Sequence, residues 1–365
     1  MTLSQDLERC LGIVWDFASD EFTPALEVYL SKKVRGLHTD HQLSEEMIDS
    51  CVPTRRILLR LVGCLHDISG RHLGPLQIKS RIIYSRTCAL NKDVPWDTPI
   101  ENQVIIDTIK TLMWDIVKVK QTFVPQPRAW VPEGFVMDFG IGPYDGSIEA
   151  FGANFYVRSV NSDTGELACN LAASRSKVSS LDCGDNELLG SLLQTRLAEV
   201  VVDSIPERPP GFRIVLITDS QCTAHSHSDK FNFTERRRRN AGVRFSRLLR
   251  RLHGQNDNVE ILLMWLPGSE NPSDLASKVH ADVDEAINSS FWRHGSPLYT
   301  DERFPNVPDA VIYGTLKDQV YTHFGFANTS QHMTECFRCS AVFDTGKQVA
   351  VSCYIMDKSC VLTLK

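Results

Sequence analysis

The chain has 365 residues, 42% of them hydrophobic and 23% charged, the balance of a folded globular protein with room for two or three domains. Its formal net charge of −6 excludes a uniformly basic nucleic-acid binder, so any surface for a polyanion has to be local. The eleven cysteines are scattered and odd in number, which argues against a disulfide framework and for a reducing compartment, cytoplasmic or nuclear. The opening "MTLSQDLERC" lacks a basic, apolar leader pattern, and no apolar run is long enough to span a bilayer.

In chain order, the first 130 residues read as mostly helical. Thr54 can cap "RRILLRLVGCLHDI", in which Ile57, Leu58, Leu61, Val62 and Leu65 recur at helical spacing, with Gly70 as a stop. "GPLQIKSRIIYSRTCAL" opens with Pro75 near a helix start. "ENQVIIDTIKTLMWDIVKV" carries a buried stripe of Ile105, Ile109, Met113 and Ile116. The three prolines of "QTFVPQPRAWVPEG" then mark a domain boundary.

Beyond it the period changes. "GFVMDFGIG" is a short strand holding Asp138, and "AFGANFYVRSV" and "LACNLAASRSKV" follow as the second and third strands of an antiparallel meander. "DCGDNELLGSLLQTRLAEVVVDSI" is an amphipathic helix with a stripe of Leu188, Leu189, Leu192, Leu193, Leu197 and Val200, and with Glu187 near its start. "FRIVLITDS" and "VEILLMWLPG" are strands four and five, and a last helix begins near Pro272. The order β-β-β-α-β-α-β-α predicts an α/β domain built on a mixed five-stranded sheet.

The expected site is a set of four acids. Asp138 lies in the first strand, Glu187 early in the first helix of this domain, Asp219 at the end of the fourth strand, and Asp274 at the start of the last helix. If strands one and four are parallel neighbours, these groups can meet at one edge of the sheet. Clustered carboxylates repel, and divalent cations remove that cost. Two Mg²⁺ ions, with Mn²⁺ as a substitute, suit in-line displacement at a phosphodiester. Taken singly, each acid is a common capping or turn residue; only order and topology make them a set.

Several stretches resemble the Pol polyprotein of BEL/Pao-type LTR retrotransposons, at the end of its reverse transcriptase and in the ribonuclease H domain that follows. They are "LGIVWDFASDEF", "GPLQIKSRII", "LAASRSKVSSLDCGDNELLGSLLQTRL", "LITDSQC", "WLPGSENPSDLASK" and "FWRHGSPLY", spread over residues 11–300. The resemblance implies three regions. Residues 1–130 would be a helical thumb- or connection-like segment of reverse transcriptase, 131–300 a ribonuclease H-like domain, and 301–365 a tail. It implies a D-E-D-D metal set, which falls on Asp138, Glu187, Asp219 and Asp274. It further implies cleavage of the RNA strand of RNA–DNA hybrids, with a larger reverse transcriptase assembly as a partner. The family has a small residue after its first Asp; Phe139 stands there here, and "DFGIGPYDG" leaves Asp145 as a rival. The loop "PGSEN" offers Ser269 or Glu270 where many relatives carry a His. Phe139 and the missing loop His motivate the alternative, a catalytically silent, domesticated nucleic-acid-binding module, and the absence of a recognisable polymerase palm motivates a scaffold in a larger assembly.

Between Thr234 and Gly254 lie eight arginines: Arg236, Arg237, Arg238, Arg239, Arg244, Arg247, Arg250 and Arg251. Phe245, Leu248, Leu249 and Leu252 would form the opposite, apolar face. This pattern fits a handle that tracks phosphates. Asn154 and Gln221 are candidates for contacts to a 2′-hydroxyl. A zinc site at Cys336 and Cys339 is disfavoured because the second pair lacks regular spacing. Asp344-Thr345-Gly346 matches an aspartic peptidase motif, but too little chain follows it to build such a site.

Overall fold

The computed structural model describes residues 12–31, 41–65, 67, 69–90, 93–205, 208–228, 244, 248–249, 251–252 and 259–313, together with the backbone of a few short strands outside these ranges. It opens with strands, where helix was expected. β1 (Leu7–Cys10), β2 (Ile13–Asp16) and β3 (Glu21–Pro24) form an antiparallel sheet, followed by the two-residue strands β4 (Lys33–Val34) and β5 (Leu37–His38). β6 (Gln126–Pro127) returns to complete the first sheet.

The helices follow: α1 (Glu45–Ser50), α2 (Arg55–Cys64), α3 (Gly74–Leu90) and α4 (Gln103–Thr122). Thr54 caps α2 by accepting a hydrogen bond from the Ile57 amide at 3.2 Å. α2 stops at Cys64, earlier than its apolar periodicity suggests. The chain then turns so that the buried Asp67 accepts hydrogen bonds from the amides of Gly70, His72 and Leu73 just ahead of α3. The stripe Ile105, Ile109, Met113 and Ile116 of α4 is buried as its spacing requires.

The main sheet has six strands, one more than expected: β7 (Phe135–Gly146), β8 (Ala150–Asn161), β9 (Leu167–Val178), β10 (Arg213–Thr218), β11 (Glu260–Trp265) and β12 (Val311–Thr315), in the order β12-β11-β10-β7-β8-β9. β7–β8–β9 is an antiparallel meander, and β10 runs parallel to both β7 and β11. β10 reads as an unbroken apolar run because both faces are covered. Ile214 and Leu216 pack toward α5 (Cys183–Asp203), with Leu192, Leu193, Leu197 and Ala198. Val215 and Ile217 pack on the other face with Trp292, Tyr299 and Ala276. Val200, expected in the α5 stripe, is 65% exposed. After β10 comes α6 (Gln221–Ser228), and after β11 come α7 (Asp274–Ser277), α8 (Val283–Asn288) and α9 (Ser290–His294).

The helical block and the main sheet are joined through α3. The Trp292 indole donates to the Arg71 carbonyl at 2.9 Å. Its ring lies so close to α3 that a Cβ on Gly74 would fall 2.5 Å from it. Lys79, also on α3 and buried, pairs with Asp115 of α4 at 2.9 Å and donates to the His280 carbonyl at 2.9 Å. Val283 and Ile287 of α8 complete the core of the helices. The proline-rich stretch near residue 130 therefore connects two parts that share packing.

Candidate metal centre

Register decides which carboxylates meet. β7 and β10 are parallel, with Ile217 opposite Pro143. Continuing two residues along both strands sets Asp219 beside Asp145. Asp145, Glu187 and Asp219 each offer an oxygen, all within 4.8 Å of one another. Asp138 is not among them. Seven residues of strand, roughly 23 Å, separate it from Asp145. It sits at a bulge in β7, where its carboxylate pairs with Arg158 at 3.3 Å. Arg158 is itself buried and stacks over Phe139 and Phe304. Of the two aspartates that the sequence left open in β7, the structure brings Asp145 to the cluster and assigns Asp138 to an ion pair at the far end of the strand.

Glycine explains why a small residue follows Asp145. A Cβ on Gly146 would lie 2.3 Å from the Glu187 amide nitrogen and 2.5 Å from the Asn186 carbonyl carbon. Only hydrogen lets the first turn of α5 come this close to β7. Asp182 caps that turn, accepting from the Asp185 amide at 2.7 Å, and the Asn186 side chain donates to the Ser147 carbonyl at 2.6 Å. Glu187 is thereby held over the end of β7.

The segment "ENPSDLASK" is stitched to the same strand end. Ser273 donates to the Pro143 carbonyl at 2.7 Å, Asn271 to the Tyr144 carbonyl at 3.0 Å, and Ser147 to the Ser277 carbonyl at 2.8 Å. The Ser277 hydroxyl donates to the Asp145 carboxylate itself. Asp274 opens α7 at the rim, its side chain 33% exposed, and pairs with Lys278 at 2.5 Å. The Lys278 ammonium also lies 3.8 Å from Asp145. Sequence reasoning gave Lys278 no role, although its i,i+4 spacing from Asp274 on a helix was a legible signal.

The electrostatics of the cluster suit a cation. Burial, then the fields of Asp145 and Asp219, raise the Glu187 carboxyl to about 9. Burial also raises Asp145 to about 6, against the hydrogen bond from Ser277. Asp219 is raised by burial and by Asp274. Lys278 is pulled down by burial, but its bond to Asp274 and the charge of Asp145 hold it above the ordinary lysine value. One oxygen of Glu187 and one of Asp219 are buried without a hydrogen-bond partner. Orphaned, mutually repelling carboxylate oxygens at this spacing fit hard divalent cations, which take oxygen ligands.

Residues 54–220 match the family model described as "Pao retrotransposon-like RNaseH-like domain". These residues form a BEL/Pao-type ribonuclease H-like region. The match spans the helices α2 to α4 as well as the sheet strands that carry Asp145 and Asp219. Among solved structures, the chain is similar to the N-terminal RNase H domain of rv2228c from Mycobacterium tuberculosis, at 13% identity and a TM-score of 0.27 over 41% of this chain and 96% of that one. RNase H1 of Halobacterium salinarum NRC-1 matches at 17% identity and 0.27, over 41% and 98%. LC9-RNase H1 matches at 12% and 0.27, over 38% and 67%. No curated protein sequence matches the chain.

The other expected residues of this ribonuclease H-like region separate. Arg236, Arg237, Arg238, Arg239, Arg247 and Arg250 lie outside the described residues. Arg244 is exposed, whereas Arg251 pairs with Glu199 of α5 at 2.8 Å. Leu249 and Leu252 are buried in the α5-side core, so the apolar face of the basic segment is anchored. Asn154 is fully buried and donates to the Pro272 carbonyl, which removes it as a contact for a 2′-hydroxyl. Glu270 accepts from Ser296. The pair Cys336 and Cys339 and the motif at Asp344 lie outside the residues whose side chains are described. No helix among the described residues is long and apolar enough to cross a membrane.

Proposed function

We propose that the protein is a metal-dependent ribonuclease H that hydrolyses the RNA strand of RNA–DNA hybrids. The observation that carries this reading is the convergence of Asp145, Glu187 and Asp219 from two parallel strands and a helix, with oxygens within 4.8 Å. Asp145, Glu187, Asp219 and Asp274 would hold two Mg²⁺ ions. When bound, the cations supply activation of a water for attack on the phosphodiester and stabilisation of the leaving 3′ oxygen. The residues of the chain set the rest. Gly146 lets α5 carry Glu187 over the strand end, Ser277 fixes the Asp145 carboxylate, and Asn271 and Ser273 clamp the Asp274 segment to β7. Lys278 gives partial neutralisation before a cation arrives. The arginines of residues 236–251 would steer the duplex through its phosphates.

The test is a labelled RNA–DNA hybrid incubated with the protein in Mg²⁺, in Mn²⁺ and in EDTA. The wild type should nick the RNA strand only with metal, and Asp145→Asn and Asp219→Asn should each abolish cleavage while melting as the wild type does or higher. Asp138→Asn should still cleave. A second reading, a silent nucleic-acid-binding module, is favoured by the Lys278 ammonium, which occupies oxygens of Asp274 and Asp145. It predicts hybrid binding with no cleavage in either metal.

A further inference from the structure

β9 is the outermost strand of the main sheet, its outer side partly covered where the Ser174 amide donates to the Ser69 carbonyl at 2.8 Å, and it carries two exposed cations. Arg175 and Lys177 alternate as exposed residues on this strand, with buried Ser174 and Ser176 between and beside them. Arg81 reaches across from α3 and donates to the Ser176 carbonyl at 3.2 Å. Its guanidinium feels Arg175, which adds to burial in disfavouring its charge. Among the described residues none of these three side chains forms an ion pair with a carboxylate. Nearby Arg86 differs, since it is already paired with Glu149.

Position gives the strip its meaning. Asp145 lies opposite Gly152, and Gly152 opposite Ser176. Two interstrand steps put the β9 backbone about 10 Å from Asp145. Arg175 and Lys177 flank that row about 7 Å apart and point to the α5 face, where their partners Ala153 and Phe151 pack and from which Glu187 enters the cluster. Cations spread along an edge, without an apolar anchor between them, suit a polyanion better than a single carboxylate or a folded partner.

We infer that Arg175 and Lys177, backed by Arg81, form a second backbone clamp that grips phosphates of the duplex beside the one held at the acidic cluster. This rests on the proposed hybrid-cleaving function for its ligand. It is separate from the arginine-rich segment, because it belongs to β9, two strands from Asp145. The bland reading is that charged residues on an edge strand only block pairing with other chains.

The experiment measures binding of a labelled RNA–DNA hybrid by full-length Asp219→Asn protein, which removes cleavage from the readout, across a series of salt concentrations. Adding Arg175→Ala and Lys177→Ala should weaken binding about tenfold at low salt and lower the slope of log K against log salt by about 2. Lys177→Glu alone should weaken it further than Lys177→Ala. Removing Arg213 and Arg303, which pair with Glu260 and Asp301 toward the opposite end of the sheet, should leave the slope unchanged. Melting curves check that the exposed β9 changes leave the fold intact. Unchanged affinity and slope in the β9 variants, with binding by the parent intact, overturns the clamp and leaves the edge-protection reading. Absence of hybrid binding by the parent protein overturns the hybrid-cleaving reading and the clamp together.

Discussion

Replacing Glu187 with Gln should stabilise the metal-free protein near neutral pH and flatten the dependence of its stability on pH. The Glu187 carboxyl has an ordinary value of 4.5 and is raised to about 9 in the fold, by burial first and then by Asp145 and Asp219. Between those values the folded protein keeps a proton that the unfolded chain releases. The native state then binds more protons than the unfolded state, so stability falls as pH rises through this window. Each pH unit costs up to about 1.4 kcal/mol, so Glu187 removes about 3 kcal/mol between pH 5 and pH 7. Asp145, raised from 3.8 to about 6, adds a loss confined to the lower part of the same range. Gln carries no charge, so at pH 7 the variant should exceed the wild type by about 2–3 kcal/mol. At pH 5 the two should differ by less than about 1 kcal/mol. Urea unfolding in EDTA at pH 5, 6, 7 and 8 reads this directly. Adding Mg²⁺ should narrow the gap, because a cation bound to the folded state stabilises the wild type more. A variant less stable than the wild type at pH 7, or wild-type stability that is flat from pH 5 to pH 8, would refute the electrostatic account of the cluster.

Further outcomes follow from the same contacts. Gly146→Ala should destabilise the protein by about 1–3 kcal/mol and reduce its stabilisation by Mg²⁺, since the added methyl meets the backbone of α5; thermal melts with and without Mg²⁺ test both effects. Trp292→Ala should cost about 3–5 kcal/mol, because its ring fills the seam between α3 and the sheet; urea unfolding measures it. Asp138→Ala leaves Arg158 buried without its partner and should destabilise the fold by about 3 kcal/mol, yet leave the Mg²⁺ response intact. Asp145→Asn should do the reverse, and a metal titration followed by melting temperature separates the two aspartates.

The local features were legible in the amino-acid order because they depend on neighbours three or four residues away. Thr54 marked the start of α2, the isoleucines of α4 marked its buried face, and the apolar run before Asp219 marked a strand covered on both sides. The first forty residues misled, because strands this short depend on partners distant in the chain, such as Gln126 and Pro127 for β3. β12 was missed because it closes the sheet from beyond the expected domain.

The site shows the same division. Glu187 and Asp219 could be placed from the helix start and the strand end alone. The choice between Asp138 and Asp145 could not, since Pro143 lacks a donor and reads as the end of a strand. In the fold β7 continues through Pro143, whose carbonyl is taken by Ser273. The sequence by itself marked the helices α2 to α5, the strands β7 to β11 and the positions of Glu187 and Asp219, because side-chain periodicity is a local property. Only the tertiary structure decided that Asp145 joins the cluster and that Lys278 reaches it. Pairing register between strands 74 residues apart is fixed by the packing of the whole sheet, and no short window of sequence contains it.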